Sequence, residues 1–370
     1  MQIEIYNMIP VGENISISLE AVCDSFSSLL WDIEYYKCGA FEVYIAASPR
    51  NVEVFQTGRI VGRDDDREHF GLIESVELET DAEDGDYLII KGRFLMCLLE
   101  RRIIYPTFNF TKLVSYSQII MNVVQYNACT SGIRKIPGLV VGCSSGTCWD
   151  TETKLQVSYD NLMEWVYTIC EKIGGTANIR LSKIADEQYE MIFELLQGTD
   201  RSILQKINPH IIFSDRDNNL LSFTYFTETS VKKNYAYVLG KGEGEKRKRT
   251  IYFEGTEPSS LERYEVYVDA KDISDEEQIA NETKPISEIE YEELLKEKGK
   301  QNLVPTKTKS ESQIAVQSTQ FQYGVDYFVG DFVTVENHRF GIRQNKIQLI
   351  GMIESFDRNG RNLTPTFKEE

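Results

Sequence analysis

The chain has 370 residues, and its 41% hydrophobic content is enough for two domains with cores of their own. Asp and Glu outnumber Lys and Arg by 58 to 40, and the net charge of −18 argues against the basic surface of a nucleic-acid-binding protein. The sequence shows no apolar run long enough to span a bilayer and no signal-peptide pattern at its start, so we expect synthesis in a cytoplasm without a membrane anchor.

The first hundred residues are predicted to be mainly β-strands, because alternating or apolar runs rich in aromatic and β-branched residues are separated by acidic or Gly-containing turns. These runs are Phe41–Ser48, Val52–Val61, Gly71–Thr80 and Asp86–Leu95. A short helix is predicted over Phe94–Leu99, where the apolar residues follow helical spacing. Arg101 and Arg102 then suit the negative end of that helix.

The middle of the chain, from Ser115 to about Leu196, is predicted to be α/β. One helix begins at a Ser115 or Ser117 cap, and a second lies within Ser158–Gly175, where a Gly pair ends the apolar face. Two strands follow, at Ala177–Leu181 and Tyr189–Gly198.

Strands are predicted again over most of the remaining chain. They lie at His210–Asp215, Asn219–Ser230, Asn234–Gly242, Arg249–Gly255 and Arg263–Ala270, and they return after about Ser310. The segment from Lys271 to Ser310 interrupts the pattern, because it is acidic at first and then helical. Ser287 and Glu290 have the spacing of a capping box at the start of that helix.

One short phrase occurs near each end of the chain. Gly71–Ser75 has the sequence GLIES and Gly351–Ser355 has the sequence GMIES, and each runs on to an acidic turn that ends in Gly85 or Gly360. Each copy lies in a β-rich part of the chain, which favours a duplicated strand-and-turn unit over a chance match. Two similar β-barrel domains would explain the repeat. A closed barrel also leaves no exposed edge strand, which is a second reason to expect barrels.

Three stretches resemble siphovirus tail-tip hub proteins, whose fold is that of the central baseplate hub of contractile phage tails and of VgrG-type spike hubs. These stretches are KGRFLMCLLERRII from Lys91, Gly198–Arg249, and Tyr323–Glu370. The resemblance covers most of the chain and is weakest between about Lys271 and Ser310.

The resemblance implies an α+β, β-rich fold with two tube-type β-barrel domains. The expected domains are a first barrel at 1–112, an α/β middle region at 113–200, and a second barrel region at 201–370 with an acidic helical insertion at about 271–310.

The function implied by the resemblance is structural and non-enzymatic. Three chains would form a baseplate hub ring at the virion tail tip, which continues the tail tube channel and adapts sixfold to threefold symmetry. The expected partners are further copies of the chain, a distal tail ring, a tape measure protein and a fibre or spike. DNA would pass without specific binding, which suits an acidic protein.

The clearest enzymatic pattern is GCSSG at Gly142–Gly146, which places Ser144 at the nucleophile position of a G-x-S-x-G elbow. An elbow requires a helix directly afterwards, but turn and strand are predicted there. A triad would also need His210 or His338, and neither has a recognisable local context. We therefore interpret the segment as a Gly/Ser turn.

Two acidic loops were candidates for metal binding, and neither is predicted to bind one. Asp215, Asp217 and Asn219 resemble the start of a calcium loop, but Leu220 and Phe226 occupy positions that need Gly and Glu. Asp64–Asp66 is interpreted as a solvated turn. We predict no catalytic residue, no cofactor and no metal.

The basic cluster Lys246–Arg249 is interpreted as a solvated hairpin tip, with contact to an acidic neighbouring subunit as the alternative. Seven cysteines, an odd number, favour free thiols. Two other functions stay open, a tail-associated cell-wall hydrolase and a host-receptor-binding module. For the hydrolase, the sequence leaves no room for an appended lytic domain after the last strands.

Overall fold

A computed structural model describes residues 1–81, 85–130, 132–279, 282–304, 307–314 and 320–369. Strands dominate these residues, so the predicted β-rich fold is confirmed. No helix among the described residues has both the length and the apolar character needed to cross a bilayer.

The first part of the chain forms seven strands. They are β1 (Ile3–Val11), β2 (Asn14–Cys23), β3 (Ser28–Glu34), β4 (Ala40–Ala46), β5 (Ile60–Arg63), β6 (Asp66–Asp81) and β7 (Gly85–Phe94). Strands β3 to β7 form an antiparallel sheet in the order β5-β6-β7-β4-β3, which we name the first strand unit. Every second side chain of β3 and β4 is buried in one hydrophobic cluster, as alternation in the sequence requires.

The predicted strand Val52–Val61 is wrong in its first half. The structure has a helix α1 (Pro49–Val54) there, and β5 begins only at Ile60. The Ser48 side chain accepts a hydrogen bond from the Asn51 amide, and Pro49 occupies the first turn. Both features start a helix, and they outweigh the β-branched residues that follow.

The middle region packs helices against short strands. It contains α2 (Cys97–Glu100), β8 (Phe108–Ser115), α3 (Tyr116–Val124), β9 (Leu139–Ser144), β10 (Glu152–Val157), α4 (Leu162–Ile173), β11 (Thr176–Ala185) and β12 (Gln188–Leu196). Ser115 caps α3, which continues as a π-helix over Gln125–Thr130. Gly174 ends α4 in the left-handed conformation at φ 77°.

The last part of the chain supplies eleven strands and one α-helix among the described residues. These are β13 (Ile212–Ser214), β14 (Leu220–Glu228), β15 (Tyr235–Leu239), β16 (Arg249–Tyr252), β17 (Glu265–Asp269), β18 (Glu276–Ile279), β19 (Glu282–Pro285), α5 (Glu288–Gln301), β20 (Lys307–Ile314), β21 (Phe332–Asn337), β22 (Ile342–Asp357) and β23 (Gly360–Glu369). Strands β14 and β20 to β23 form an antiparallel sheet in the order β21-β22-β23-β20-β14, which we name the second strand unit.

The elements between β14 and β20 form a small module of their own. Strands β16-β15-β17 make a three-stranded sheet, and α5 packs on it through Tyr291, Leu294 and Leu295. The predicted capping box of Ser287 and Glu290 is present at the start of α5. The helix of the expected insertion at 271–310 therefore belongs with strands that begin near Tyr235.

The three regions meet at a close backbone contact. A Cβ atom on Gly198 would lie 1.8 Å from the Gly330 carbonyl oxygen, so only glycine fits at this position. The Gly198 amide donates a hydrogen bond to the Tyr35 hydroxyl at 2.9 Å, and that hydroxyl donates to the Gly174 carbonyl at 3.3 Å. First unit, middle region and second unit are thus tied together at Tyr35.

The two strand units share one sheet. Its order is β11-β12-β2-β1-β5-β6-β7-β4-β3-β22-β23-β20-β14, with β9, β13 and β21 paired at the side. The expected pair of closed barrels is not found among the described strands, because this path has two ends. One open sheet arises because β22 of the second unit pairs with β3 of the first.

Candidate assembly interface

The two strand units have the same topology. In each unit the strands follow one another in the chain as first to fifth, and they lie in space in the order third, fourth, fifth, second, first. All pairs within both units are antiparallel. The module between β14 and β20 occupies the place where the first unit has only the short turn between β3 and β4. The second unit is therefore a copy of the first with a large insertion.

The long hairpins of the two units match in detail. Strands β6 and β22 each have 16 residues, and their partners β7 and β23 each have 10 residues. The pairing shifts after the eighth residue of the long strand in both, at Ile73 and at Leu349. Gly85 and Gly360 both begin the returning strand with positive φ, at 90° and 111°.

The repeated phrase itself does not occupy equivalent positions, which corrects the sequence comparison. Gly71 is the sixth residue of β6 and precedes the bulge, whereas Gly351 is the tenth residue of β22 and follows it. The structural equivalent of Gly351 is Ser75. Consistent with this shift, Glu74 is exposed and Glu354 is buried. The hairpins are duplicated, but the shared letters are offset by four residues.

The two units meet within the chain where β22 pairs with β3, a contact that we name the intrachain joint. Its register runs from Gly351 opposite Glu34 to Phe356 opposite Leu29, and it places Glu354 opposite Trp31. Both residues of this central pair are almost completely buried, with Glu354 2% and Trp31 0% exposed.

A buried ion pair crosses the intrachain joint. Arg63 of β5 donates from Nη1 to Glu354 Oε1 at 3.1 Å, and its guanidinium lies 4.8 Å from the centre of the Phe356 ring. Burial disfavours the charge of Arg63, but a hydrogen bond to Asp65 and the charge of Glu354 outweigh it and raise its pKa. Arg361 also bonds Glu354, so this carboxylate is held by two guanidinium groups.

Asp66 supports the same joint from the first unit. Its Oδ2 accepts a hydrogen bond from Trp31 Nε1 at 3.0 Å and lies 2.9 Å from His69 Nδ1. Burial works to raise the pKa of Asp66, but the charge and hydrogen bond of His69 and the Glu68 amide outweigh burial and hold this pKa well below its usual value. The carboxylate thereby fixes the Trp31 ring that packs against the second unit.

Each unit also has an open strand edge. Within the described residues, β14 pairs only with β20, and β6 beyond Ile73 pairs only with β7. The corresponding part of β22 is the one that β3 covers. Leu78 on the β6 edge is 55% exposed, and Tyr225 on the β14 edge is 44% exposed. Exposed apolar residues on an unpaired edge are typical of a strand that pairs with another chain.

The face of the first unit opposite its core is acidic, and we name it the acidic face. Strand alternation and register place on it the acids Asp32, Glu34, Glu42, Glu77 and Glu79 and the bases Lys91 and Arg93. Lys91 pairs with Glu42 at 2.9 Å, while Arg93 pairs with Glu74 at 2.7 Å. An excess of carboxylates remains on this face.

Ser144 lies at the exposed end of β9, where it pairs with Leu195 of β12. A 3₁₀ turn over Thr147–Asp150 follows in place of the α-helix that a nucleophile elbow needs. The two candidate histidines have other partners: His210 Nε2 contacts the Gln205 carbonyl, and His338 lies beside Asp215. The structure does not bring the elements of a triad together at Ser144.

A Ser-His-Asp cluster that sequence reasoning missed does occur at the turn after β21. His338 Nδ1 lies 3.3 Å from Ser214 Oγ and 3.1 Å from Asp215 Oδ1, while Nε2 lies 3.2 Å from Glu336. In a triad the serine contacts Nε2 and the acid contacts Nδ1, whereas here Ser214 shares Nδ1 with Asp215 and Nε2 faces Glu336. Asp215 also accepts from the His338 and Arg339 amides, so the cluster holds a turn.

The acidic turn Asp64–Asp66 directs its carboxylates to separate partners. Asp64 accepts from the Gln2 amide, Asp65 pairs with Arg63, and Asp66 contacts His69. Across the described part of the chain, no three His, Cys, Asp or Glu side chains are placed to hold a metal ion together.

The other metal candidate, Asp215–Asn219, is the predicted turn before a strand. Within it, Asn219 Oδ1 accepts from the Ser214 amide at 2.7 Å. That bond ties the turn to β13 and uses one of the oxygens that a calcium loop would need.

The basic cluster is only in part a solvated hairpin tip. Arg247 donates to the Leu239 and Gly240 carbonyl oxygens and pairs with Asp269, and Lys248 pairs with Glu288 of α5. These bonds anchor the loop to the module, so half of the cluster is used within the chain.

All seven cysteines are free in this structure. Burial raises the pKa of Cys38 and Cys97 to about 12, which disfavours the reactive thiolate. Cys143 is the exposed one among them.

Comparison with known proteins agrees with this fold. A tail protein from Neisseria meningitidis MC58 has a TM-score of 0.57 at 13% identity, over 100% of this chain and 96% of that one. The 43 kDa tail protein of prophage MuSo2 from Shewanella oneidensis has 0.54 at 12% identity, over 98% of both chains. Prophage tail protein gp18 from Listeria monocytogenes EGD-e has 0.54 at 10% identity, over 100% of this chain and 95% of that one.

These structural similarities establish a phage tail protein fold, and the resemblance to a siphovirus tail protein family is confirmed. A search of curated protein sequences finds no match. The model of one family matches residues 3–367, almost the whole chain. The chain therefore belongs to the Siphovirus ReqiPepy6 Gp37-like protein family.

Proposed function

We propose that this protein is the structural hub of a phage tail tip, where three copies form a ring that continues the tail tube channel. The duplicated strand unit carries the proposal. A trimer of such chains contains six similar strand units, which can contact the six subunits of a tail tube ring. On its other side, the whole chain repeats three times and can contact a threefold fibre or spike. Membership of a siphovirus family and the tail protein fold support this role.

The proposed domains follow the two units. Residues 1–112 and 201–370 each supply one tube-type domain, and residues 113–200 connect them. Each unit becomes part of a closed wall only in the assembled ring, which is consistent with the open sheet of the single chain. We propose an insertion wider than 271–310, because the sheet that packs on α5 begins at Tyr235.

The proposed channel wall includes the acidic face. Carboxylates facing the lumen would repel the DNA backbone, because DNA binds proteins mainly where Lys and Arg neutralise its phosphates and release the condensed counterions into solution. DNA would then pass without being held. The proposed neighbours are a distal tail ring, a tape measure protein and a fibre or spike.

The location is tested by electron microscopy of tails that carry a gold-labelled tag on this protein, with its copy number measured by mass spectrometry of purified tails. We expect label at the tail tip and three copies per particle. Label along the tube, or a copy number that is not a multiple of three, would refute the hub.

The proposal assigns no catalysis to the chain. Purified tails with Ser144→Ala should clear host cell walls at the same rate as unmodified tails, whatever that rate is. A loss of clearing in this variant alone would instead support the cell-wall hydrolase.

A second candidate function, binding of a host-surface saccharide, is favoured by the outer face of the module sheet. Ile251, Tyr237 and Tyr267 form an exposed row across β16, β15 and β17, opposite the side that α5 covers. Tyrosine rings offer flat apolar surfaces for sugar rings, and arginine donors 2.9 Å from the Tyr237 and Tyr267 hydroxyls, Arg263 Nη2 and Arg247 Nη1, hold both rings in place. Tyr237→Ala/Tyr267→Ala should then abolish binding of the chain to host cells, and unchanged binding would exclude this site.

A further inference from the structure

We infer that the open edge of β14 in one copy of the chain pairs antiparallel with the open edge of β6 in the next copy, in the register of the intrachain joint. This inference deepens the proposed hub function and rests on it, because it names the strands that would join neighbouring subunits.

The intrachain joint supplies the template. There β22 of the second unit pairs with β3 of the first. By the shared topology, β6 is the equivalent of β22, and β14 is the equivalent of β3. The second unit therefore offers the strand that the open part of β6 lacks, but only to a different copy of the chain, since β14 lies at the far end of the sheet.

The register follows from the strand pairings. The matching bulges after Ile73 and Leu349 make Leu78 the equivalent of Glu354. The pairings of β3 with β4 and of β14 with β20 make Tyr225 the equivalent of Trp31. Because Glu354 lies opposite Trp31 in the intrachain joint, Leu78 of one copy should lie opposite Tyr225 of the next.

The faces of the two edges agree with this register. Leu78 lies opposite Leu88 on the core face of β6, as Val76 does opposite Ile90. Phe223 packs against the second core, and Tyr225 stacks on it with ring centres 6.4 Å apart, so both lie on the core face of β14. A slip of one residue would place Leu78 and Tyr225 on opposite faces of the joined sheet.

The central residues of the intrachain joint are buried, and their equivalents at the two open edges are exposed. Glu354 and Trp31 are 2% and 0% exposed in the intrachain joint, whereas Leu78 and Tyr225 are 55% and 44% exposed. The position that holds a charged Glu354 within the chain holds an apolar Leu78 at the edge. An apolar pair leaves no unpaired charge when it becomes buried. It therefore suits residues that are exposed in the single chain and covered in the assembly.

The test is disulfide cross-linking in assembled tails that carry Leu78→Cys/Tyr225→Cys. Cys143, the exposed native cysteine, is replaced by Ser in all variants. Directly opposite antiparallel residues have Cα atoms about 4.5–5.5 Å apart, which is within disulfide reach. We expect covalent dimers and trimers in a non-reducing gel. Each single cysteine variant should give about tenfold less covalent dimer and trimer. The same reduction is expected for Glu77→Cys/Tyr225→Cys, which corresponds to a register slipped by one residue.

A charge pair tests the same contact without cysteines. Leu78→Lys alone and Tyr225→Lys alone should each lower incorporation of the chain into tails about tenfold, and Leu78→Glu/Tyr225→Lys should restore it. Leu261→Lys, at a site that is 89% exposed in the module, is the matched control and should assemble normally.

The outcomes separate this inference from the hub itself. Three copies at the tail tip without the Leu78–Tyr225 cross-link, or with the slipped cross-link in greater yield, would overturn the strand pairing and leave the hub intact. Absence of the protein from the tail tip would overturn both.

Discussion

Arg63 and Glu354 are the residues that most directly join the two units. Their side chains are 2% and 3% exposed, and they come from the first and the second unit. Two charges taken out of water gain little net stability, but one charge left there without its partner costs much. The pair therefore acts chiefly by rejecting arrangements in which the two units do not meet in this register.

Removing one partner should show this asymmetry. Glu354→Leu deprives Arg63 of its buried carboxylate, so we expect the free energy of unfolding to fall by about 3–5 kcal/mol. The double variant Arg63→Met/Glu354→Leu should recover most of that loss, as measured by urea unfolding. An equal loss in the single and double variants would contradict the role of the ion pair. Asp186→Leu, which breaks an exposed pair with Lys183, is the control and should have no measurable effect.

Asp66 should make the stability of the first unit depend on pH. Its folded pKa lies below the unfolded value, so its interactions stabilise the fold fully above about pH 4 and are lost as pH falls further. Asp66→Asn should therefore cost about 1–3 kcal/mol at pH 7, and the difference from the unmodified protein should shrink between pH 4 and pH 3. Urea unfolding at each pH measures this difference, and a constant difference would contradict the assignment.

At the scale of single elements, local signals were sufficient for turns and caps. Gly85 and Gly360 could be predicted because a tight turn needs positive φ, and the Ser287 capping box could be predicted from its spacing. The offset of the repeated phrase could not, because both hairpins have the same lengths and the same bulge position, and only the strand pairings show which residues are equivalent. The pairing of β22 with β3 joins residues about 320 positions apart, and no local signal encodes it.

The module is an element that the second unit should be able to lose. We expect a chain in which an Asn-Gly turn replaces residues 230–304 to fold and to enter tails, because the first unit joins β3 to β4 by a short turn. Of its ion pairs with the middle region, Lys154–Glu293 lies at the surface and contributes little, whereas Lys172–Glu297 is largely buried and is the contact that the shortened chain would lose.

Circular dichroism melting of the shortened chain measures its folding, and electron microscopy of tails that contain it measures its incorporation. A shortened chain that is unfolded would show instead that the module is part of the fold's core.

At the scale of the whole molecule, the β-rich class could be predicted, but closure of the sheet could not. A chain with an open sheet and a chain with two barrels have the same strand patterns, since alternation reports only which face is buried. Here the path of described strands ends at β14, and nothing in the sequence around the exposed Tyr225 and Phe226 indicates that β20 is the one described strand that pairs with β14.

The acidic face should influence DNA passage through the assembled tail. Glu77→Lys/Glu79→Lys adds positive charge on this face, so we expect DNA release to slow by about two- to tenfold at low salt and less at high salt. Time-resolved release of a DNA-binding dye measures this. Glu254→Lys/Glu276→Lys makes the same charge change at exposed positions of the module and should leave the rate unchanged. Equal rates for all three proteins would contradict a channel-facing position.

The central claim is that two copies of one strand unit in each chain build a channel wall. A cryo-electron microscopy reconstruction of the tail tip, at a resolution that separates strands, tests it most directly. We expect six strand units around the channel, joined alternately by β3–β22 contacts within a chain and β14–β6 contacts between chains. A tip in which the two units of one chain lie in different layers, or in which this protein lines no channel, would contradict the account.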